Sequence, residues 1–294
     1  MDRIIARIQG KAEGPLVIYV GGLHGNESNG VRALENIFSP FIYAENEIHG
    51  TAVALRGNLA ALKQNKRFLN HDLNRIWTSE MLASNSDSSE VQEMIALMAL
   101  IDKEIAEHSG AVFLIDLHTT SAPTIPFIVS QFDPKFQSFL DSSDVPYISG
   151  LNGYLDGTLL AWICDKGHCG LAFEAGQQQS HNSLIKHEAF VQLSMFHTGL
   201  YPNMPQEEIG RLKKLLDDEL QPKHKHYRLV ERYAIDEEED FKMELGYSNF
   251  QKILKGQLLA QNQNGEILAP RDGNIFMPLY QKEGNDGFFI IEAV

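Results

Sequence analysis

The run Leu16-Val17-Ile18-Tyr19-Val20 constrains this chain more than any other stretch. It is apolar without alternation and rich in β-branched side chains, the pattern of a strand buried on both faces of a parallel sheet. Gly21 and Gly22 follow and release the backbone from strand geometry at little steric cost. His24 and Glu27 then arrive three residues apart. In open α/β sheets, ligands gather beyond the carboxyl ends of the strands, so this pair sits where a site is expected. An imidazole and a carboxylate suit zinc, whose catalytic sites keep three protein ligands and one open position. A third ligand is needed.

His118 supplies it most simply. It ends a second unalternating apolar run, Ala111-Val112-Phe113-Leu114-Ile115-Asp116-Leu117-His118, and Thr119 and Thr120 follow. A third short run, Gly170-Leu171-Ala172-Phe173, ends on Glu174. Taken singly, each residue has an ordinary alternative. An H-x-x-E quartet arises by chance, His118 could be a core histidine, Glu174 could cap a helix, and Thr119 and Thr120 could be turn residues. Those alternatives give no reason for glycines and ligand-type residues to coincide at three strand ends, which point to one pocket.

The remaining chain reads as alternating strands and helices, an α/β layer fold with a mixed, mostly parallel sheet flanked by helices. Residues 2–9 form an expected edge strand. Ser28 and Asn29 are candidate cap residues for a helix carrying Val31, Leu34, Ile37 and Phe38. A strand is expected at 50–55, a loop at 84–90, a covering helix at 91–108, a further strand at 126–130, a turn-rich stretch at 144–157, a short helix at 158–164, and helices near 182–199 and 205–220. The character changes at 221–226, after which short β-type runs are split by Lys255-Gly256, Asn264-Gly265, Asp272-Gly273 and Asp286-Gly287. The expected organisation is a catalytic domain over 1–222 and a small, barrel-sandwich-like β domain over 223–294. The tail has no lysine at its tip turn to carry a prosthetic group, so it is read as scaffold.

The chain has 294 residues and 39 acidic against 25 basic side chains, a formal charge of −14. That balance argues against a nucleic-acid or anionic-membrane surface, so an anionic partner must be met locally. The segment 56–75, with Arg56, Lys63, Lys66, Arg67 and Arg75 against Asp72 alone, is such a local positive island. The acidic run 236–240 reads as a solvated loop. Cys164 and Cys169 are the only cysteines, too few for a disulfide framework, and are read as buried inert thiols. With no signal peptide or membrane-length apolar stretch in the sequence, the cytoplasm is the expected compartment. A homo-oligomer is compatible with the sequence, which does not set the number of subunits.

One zinc ion held by His24, Glu27 and His118 would bring a bound water to a pKa of about 7. Glu174 is the candidate to take a proton from that water and pass it to a leaving nitrogen. Arg67 could polarise a carbonyl and stabilise an oxyanion. Arg75, beside Asn74, could grip a carboxylate through paired hydrogen bonds. Asp116, two residues before His118, points to the same side of its strand and would orient a ligand histidine. His49, His71, His168, His181 and His187 have no comparable context and are left as structural or surface residues.

At these residues the chain resembles the succinylglutamate desuccinylase and aspartoacylase family, relatives of the zinc carboxypeptidases. The matching motifs are Gly21-Gly22-Leu23-His24-Gly25-Asn26-Glu27, then Arg67 with Asp72-Leu73-Asn74-Arg75, then Asp116-Leu117-His118-Thr119-Thr120, then Phe173-Glu174-Ala175-Gly176. The tail adds Ala269-Pro270-Arg271-Asp272-Gly273 and Gly284-Asn285-Asp286-Gly287-Phe288-Phe289. The resemblance implies a carboxypeptidase-like α/β domain and hydrolysis of the amide bond of a small N-acyl amino acid. It assigns zinc to His24, Glu27 and His118, the base to Glu174, carbonyl polarisation to Arg67, and the substrate carboxylate to Asn74 and Arg75, with Thr119 and Thr120 beside them. Two departures bear on substrate. The family arginine before the catalytic glutamate falls near Cys164, where only Lys166 and His168 follow, and the family's C-terminal tyrosine falls at Phe288-Phe289. Both remove polar specificity contacts and leave the hydrolytic residues intact. A zinc exopeptidase cutting short peptides is the nearest rival activity, and a binding protein without turnover is the rival from another class.

Overall fold

The computed structural model describes all residues except 40–42, 44–46, 85, 122, 131–136, 138, 142, 144, 152–153, 218–221, 223, 237 and 282–283. The central strand, β2 (Ala12–Gly21), follows β1 (Ile4–Gln9) and is flanked by β3 (His49–Arg56) and β4 (Val112–Thr120), both parallel to it. Next to β4 lies β7 (Cys169–Gln177), again parallel, and β1 closes the near edge antiparallel to β3.

The unalternating run in β2 is explained by two covered faces. Val17 and Tyr19 join one apolar cluster, whereas Leu16, Ile18 and Val20 join another. Helix α1 (Asn29–Phe38) packs on the first face and buries Val31, Leu34, Ile37 and Phe38. Ser28 occupies its N-cap position without a side-chain cap bond. Asn29 instead donates from Nδ2 to Ser180 O and Ser183 Oγ, and so ties α1 to the helix at 181–197. The second face is covered by 89–106 (Ser89–Ala106), through Val91, Met94, Leu97 and Ile101.

The expected strand near 126–130 is present as β5 (Phe127–Ser130) and runs antiparallel to β7. The stretch read as turn-rich contains a strand, β6 (Tyr147–Ser149), parallel to β5 and to β8 (His226–Ala234). Its three residues are too short for a periodicity signal, and neighbouring strands on both sides supply its hydrogen bonds. The sheet thereby continues into the tail. Among the described residues it holds eleven strands, in the order β1-β3-β2-β4-β7-β5-β6-β8 and then 286–293, 273–276 and 252–253. A second, three-stranded sheet stands over this end, and Met243, Ile253, Leu259, Ile275, Phe288 and Ile290 fill the space between. The division expected at 222–223 falls beside 218–221 and 223, outside the described residues, and stands as a proposed boundary. Cys164 is half-buried, Cys169 is buried, and the two are not joined in a disulfide. No helix among the described residues is long and apolar enough to cross a membrane.

Candidate metal centre and active site

The carboxyl ends of β2, β4 and β7 open onto one cavity of about 450 Å³ that His24, Glu27, Arg67, Arg75, His118, Thr119, Thr120 and Glu174 all line. The turn after β2 sets the first of these. Gly22 has φ +75, the left-handed region that favours glycine, and a side chain there would press on Leu62. At Gly25 a Cβ would stand 2.2 Å from the backbone of Ala61, so only glycine lets the turn lie against the helix at 59–64. Gly25 N also donates to Arg67 O at 3.1 Å, which fastens the two ligand-bearing loops together.

His24, Glu27 and His118 converge, all buried, with one ligand atom from each within 4.8 Å of the others. The imidazoles are held in the same sense. Nε2–H of His24 donates to Asp72 Oδ1 at 3.0 Å, and Nε2–H of His118 donates to Asp116 Oδ2 at 2.6 Å. The two Nδ1 atoms face Glu27, at 2.8 Å from Oε1 and 3.2 Å from Oε2. Carboxylates behind metal-bound histidines fix the ring and raise its basicity, so Nδ1 is the atom each ring would offer an ion. Asp116 was expected in that part. Asp72 was not, because its partner lies 48 residues away with no local signal.

The field of the site agrees with a cation. Burial pushes the His24 and His118 values down, but Asp72, Glu27 and Asp116 outweigh it, and both imidazoles stand above the ordinary histidine value. Glu27 and Asp72 are held well below the usual carboxylate range; burial opposes this, and the neighbouring histidines, with Arg67 and Arg75 at Asp72, overcome it. A divalent ion would answer the same excess of negative charge. The donor set, one carboxylate and two imidazole nitrogens at the end of parallel strands, fits a metal.

Glu174 stands directly beside His118, its register partner across β4 and β7. Its Oε2 is buried with no hydrogen-bond partner among the described residues, and burial pushes the carboxyl up to about 7. Arg67 donates to Asp72 Oδ2 at 3.0 Å and Glu27 Oε1 at 3.3 Å, and its Nε is buried without such a partner. Thr119 N donates to Glu27 Oε2 at 2.9 Å, and Thr119 Oγ1 is likewise buried without a partner. Thr120 is buried at the cavity wall.

Asn74 does not line the cavity. Its Oδ1 accepts from Leu159 N at 3.0 Å and holds the start of the helix at 159–165. Arg75 does line it, though its Nη2 is already donated to Asp286 Oδ2 at 2.8 Å. Lys166 points elsewhere, to Asp102 at 2.8 Å and over the Trp162 ring, whereas Phe289 forms part of the wall. Of the histidines without context in the sequence, His71 reaches the cavity mouth, and His187 is fully buried against Phe173, where burial depresses its value to about 4.

Glu90 shapes this wall from behind. It is fully buried and accepts from Leu69 N at 2.8 Å, Asn70 N at 3.0 Å, His71 N at 3.3 Å and Asn58 Nδ2 at 3.2 Å. Burial raises its carboxyl, but those donors outweigh it and hold the value below the ordinary one. Glu90→Ala removes the shared acceptor of three backbone N–H groups and of the buried Asn58 amide and is expected to cost about 3 kcal/mol, seen as a melting temperature lower by about 5–10 °C. An unchanged melting curve would show that the loop does not depend on it.

A mixed α/β sheet with a buried His-Glu-His cluster at its strand ends defines a candidate metal-binding α/β protein. The model of the succinylglutamate desuccinylase/aspartoacylase catalytic domain matches residues 13–194, and the chain belongs to that family. It is similar to the N-acyl-aromatic-L-amino acid amidohydrolase (carboxylate-forming) of Xenopus tropicalis, 31% identical over 36% of this chain and 34% of that protein. The match thus spans about a third of that relative's length. A probable aspartoacylase of Prochlorococcus marinus is 26% identical over 91% of this chain and 87% of its own. The solved structure of succinylglutamate desuccinylase from Vibrio cholerae shares the fold with a TM-score of 0.74, at 16% identity, over 97% of this chain and 83% of that one.

Proposed function

We propose that the chain is a zinc-dependent amide hydrolase acting on a small, anionic N-acyl amino acid. The observation that carries this reading is the placement of a buried Glu174 oxygen, unpartnered among the described residues, beside the His24–Glu27–His118 cluster on the wall of the shared cavity. The relatives' names, amidohydrolase, aspartoacylase and desuccinylase, support the amide bond as target.

His24 and His118, through Nδ1, and the Glu27 carboxylate would hold the ion. Zinc supplies Lewis-acid polarisation and activation of water at neutral pH. Glu174 takes the proton of the attacking water and delivers it to the leaving nitrogen. Arg67, which lines the cavity with its Nε–H unpaired among the described residues, would supply a donor to the oxyanion. Arg75 receives the substrate carboxylate, and Thr119 offers its hydroxyl to the bound molecule. A panel of N-acyl amino acids, dipeptides and amidated peptides, each with and without chelator, tests this. Cleavage of the first class, lost on chelation and restored by zinc, is expected. Cleavage of peptides alone would replace the reading with an exopeptidase.

The pH dependence has a definite sign. Glu174 must be ionised to act as a base, and burial places its carboxyl at about 7 before a cation is bound. A bound cation lowers that value. The acid limb of kcat/KM is therefore expected at or below about pH 7, with activity falling as pH drops through it. A limb lying well above pH 8 would assign the base elsewhere.

A further inference from the structure

The tail contributes a strained residue to the cavity. Met277 follows the strand at 273–276 with φ +48, the left-handed region that a residue as bulky as methionine rarely occupies. Its N–H donates to Asn249 Oδ1 at 2.5 Å, and Asn249 Nδ2 donates in turn to Thr124 Oγ1 at 2.9 Å. Thr124 lies just after β4, so Asn249 clips the tail to the segment that carries His118. Strained backbone persists only where its surroundings hold it, and such residues gather at functional sites. Glycine would take the same turn without strain, so what methionine adds there is its side chain. Phe250, beside Asn249, is also left-handed at φ +66, but its ring serves the core, edge-on to Phe127 and Phe276. Met277, by contrast, lines the cavity.

Apolar surface continues around it. Leu155 and Phe289 belong to the buried cluster against which Met277 packs, and both line the cavity as well, together with Pro278 and Leu279. The same wall carries polar groups, Asn249, Gln281 and Asn285 among them, so the apolar strip is one part of a mixed surface. Pockets of this make-up pack the apolar body of a ligand and orient it with a few polar groups. Methionine is unbranched and flexible, and fits itself to chains of different length.

We propose that Met277 is a specificity-determining residue whose side chain packs against an apolar chain of the substrate, carried on its acyl group or on its amino acid side chain. This rests on the amide-hydrolase reading above and deepens it. The contact is attractive: each methylene laid along Met277 leaves water, so kcat/KM rises with chain length.

The test measures kcat/KM in the zinc-loaded wild type, Met277→Gly and Met277→Leu over two series of compounds. One lengthens the acyl group from acetyl through butanoyl to hexanoyl, on alanine and on aspartate. The other keeps the acetyl group and lengthens the side chain from alanine through norvaline to 2-aminoheptanoate. In the wild type kcat/KM is expected to rise by about 30-fold or more along one series, which identifies the end of the substrate that meets Met277. Met277→Gly should flatten that rise to about threefold or less, whereas Met277→Leu, apolar and of similar volume, should stay within about threefold of the wild-type rise. Because the readout is a ratio within each variant, a general loss of activity does not disturb it, and melting curves show that each variant is folded. The proposal is overturned by a wild type without a rise along either series. It is overturned equally by an unchanged rise in Met277→Gly, the result for a side chain that only packs the fold, or by a steeper one, the result for a steric stop. Cleavage of none of the compounds would instead remove the amide-hydrolase reading, and the proposal with it.

Discussion

Glu174→Gln is expected to keep its metal and to lose activity by about 10²–10⁴-fold, the usual contribution of a positioned proton-transfer group. The carboxamide is nearly the same size as the carboxylate it replaces, and Glu174 lies outside the set of three groups that converge as ligands. The substitution therefore removes a proton acceptor and little else. The position is well made for that task. The β4–β7 register sets Glu174 beside His118, one oxygen has no partner among the described residues, and burial brings the carboxyl up to about 7, close to the pH at which it must gain and release a proton. Steady-state kinetics with elemental analysis of the same preparation checks both halves. A variant with full metal and near wild-type turnover would remove Glu174 from the chemistry.

His118→Ala should behave differently, losing the metal and the activity together. The ring contributes its Nδ1 to the cluster and its Nε2–H to Asp116, which is almost wholly buried. Without the imidazole only His24 and Glu27 remain as ligands, and Asp116 loses the donor it accepts from at 2.6 Å. Leaving a buried charge without its partner costs about 3–5 kcal/mol, so the variant should also melt earlier. Metal content measured on folded protein, as judged by circular dichroism, should fall from one equivalent to near none. Retention of a full equivalent of tightly held metal would place the ion elsewhere.

The two variants divide the site along a line that was visible in the sequence. β2, β4 and β7 were legible because helices cover both faces of the sheet, so the core run of each strand is almost wholly apolar, and ligand-type or carboxylate residues come at or just past its end. Parallel pairing then brings those stops to the same end, which is why His24, Glu27, His118 and Glu174 could be grouped without coordinates. What the sequence hid are contacts between distant segments. Asp72 behind His24, Glu90 under the loop at 69–71, and Asp286 against Arg75 across 211 residues have no periodicity or spacing to announce them. Asn74 has a further contact of this kind. Its neighbour Arg75 reaches the cavity, but its own carboxamide oxygen meets the first N–H of the helix at 159–165, a use that depends on where that helix packs. β6 was obscured by its brevity, and the continuity of the sheet into the tail went with it.

The convergence of His24, Glu27 and His118 on one ion is tested most directly by anomalous scattering from a zinc-loaded crystal, with data collected on either side of the zinc absorption edge. The expected result is a single peak per chain about 2.0–2.2 Å from Nδ1 of His24, Nδ1 of His118 and a Glu27 oxygen, with Glu174 beside it and outside its ligand set. A peak bound through the Nε2 atoms, a peak at another cluster, or no peak at this one under saturating zinc would contradict it.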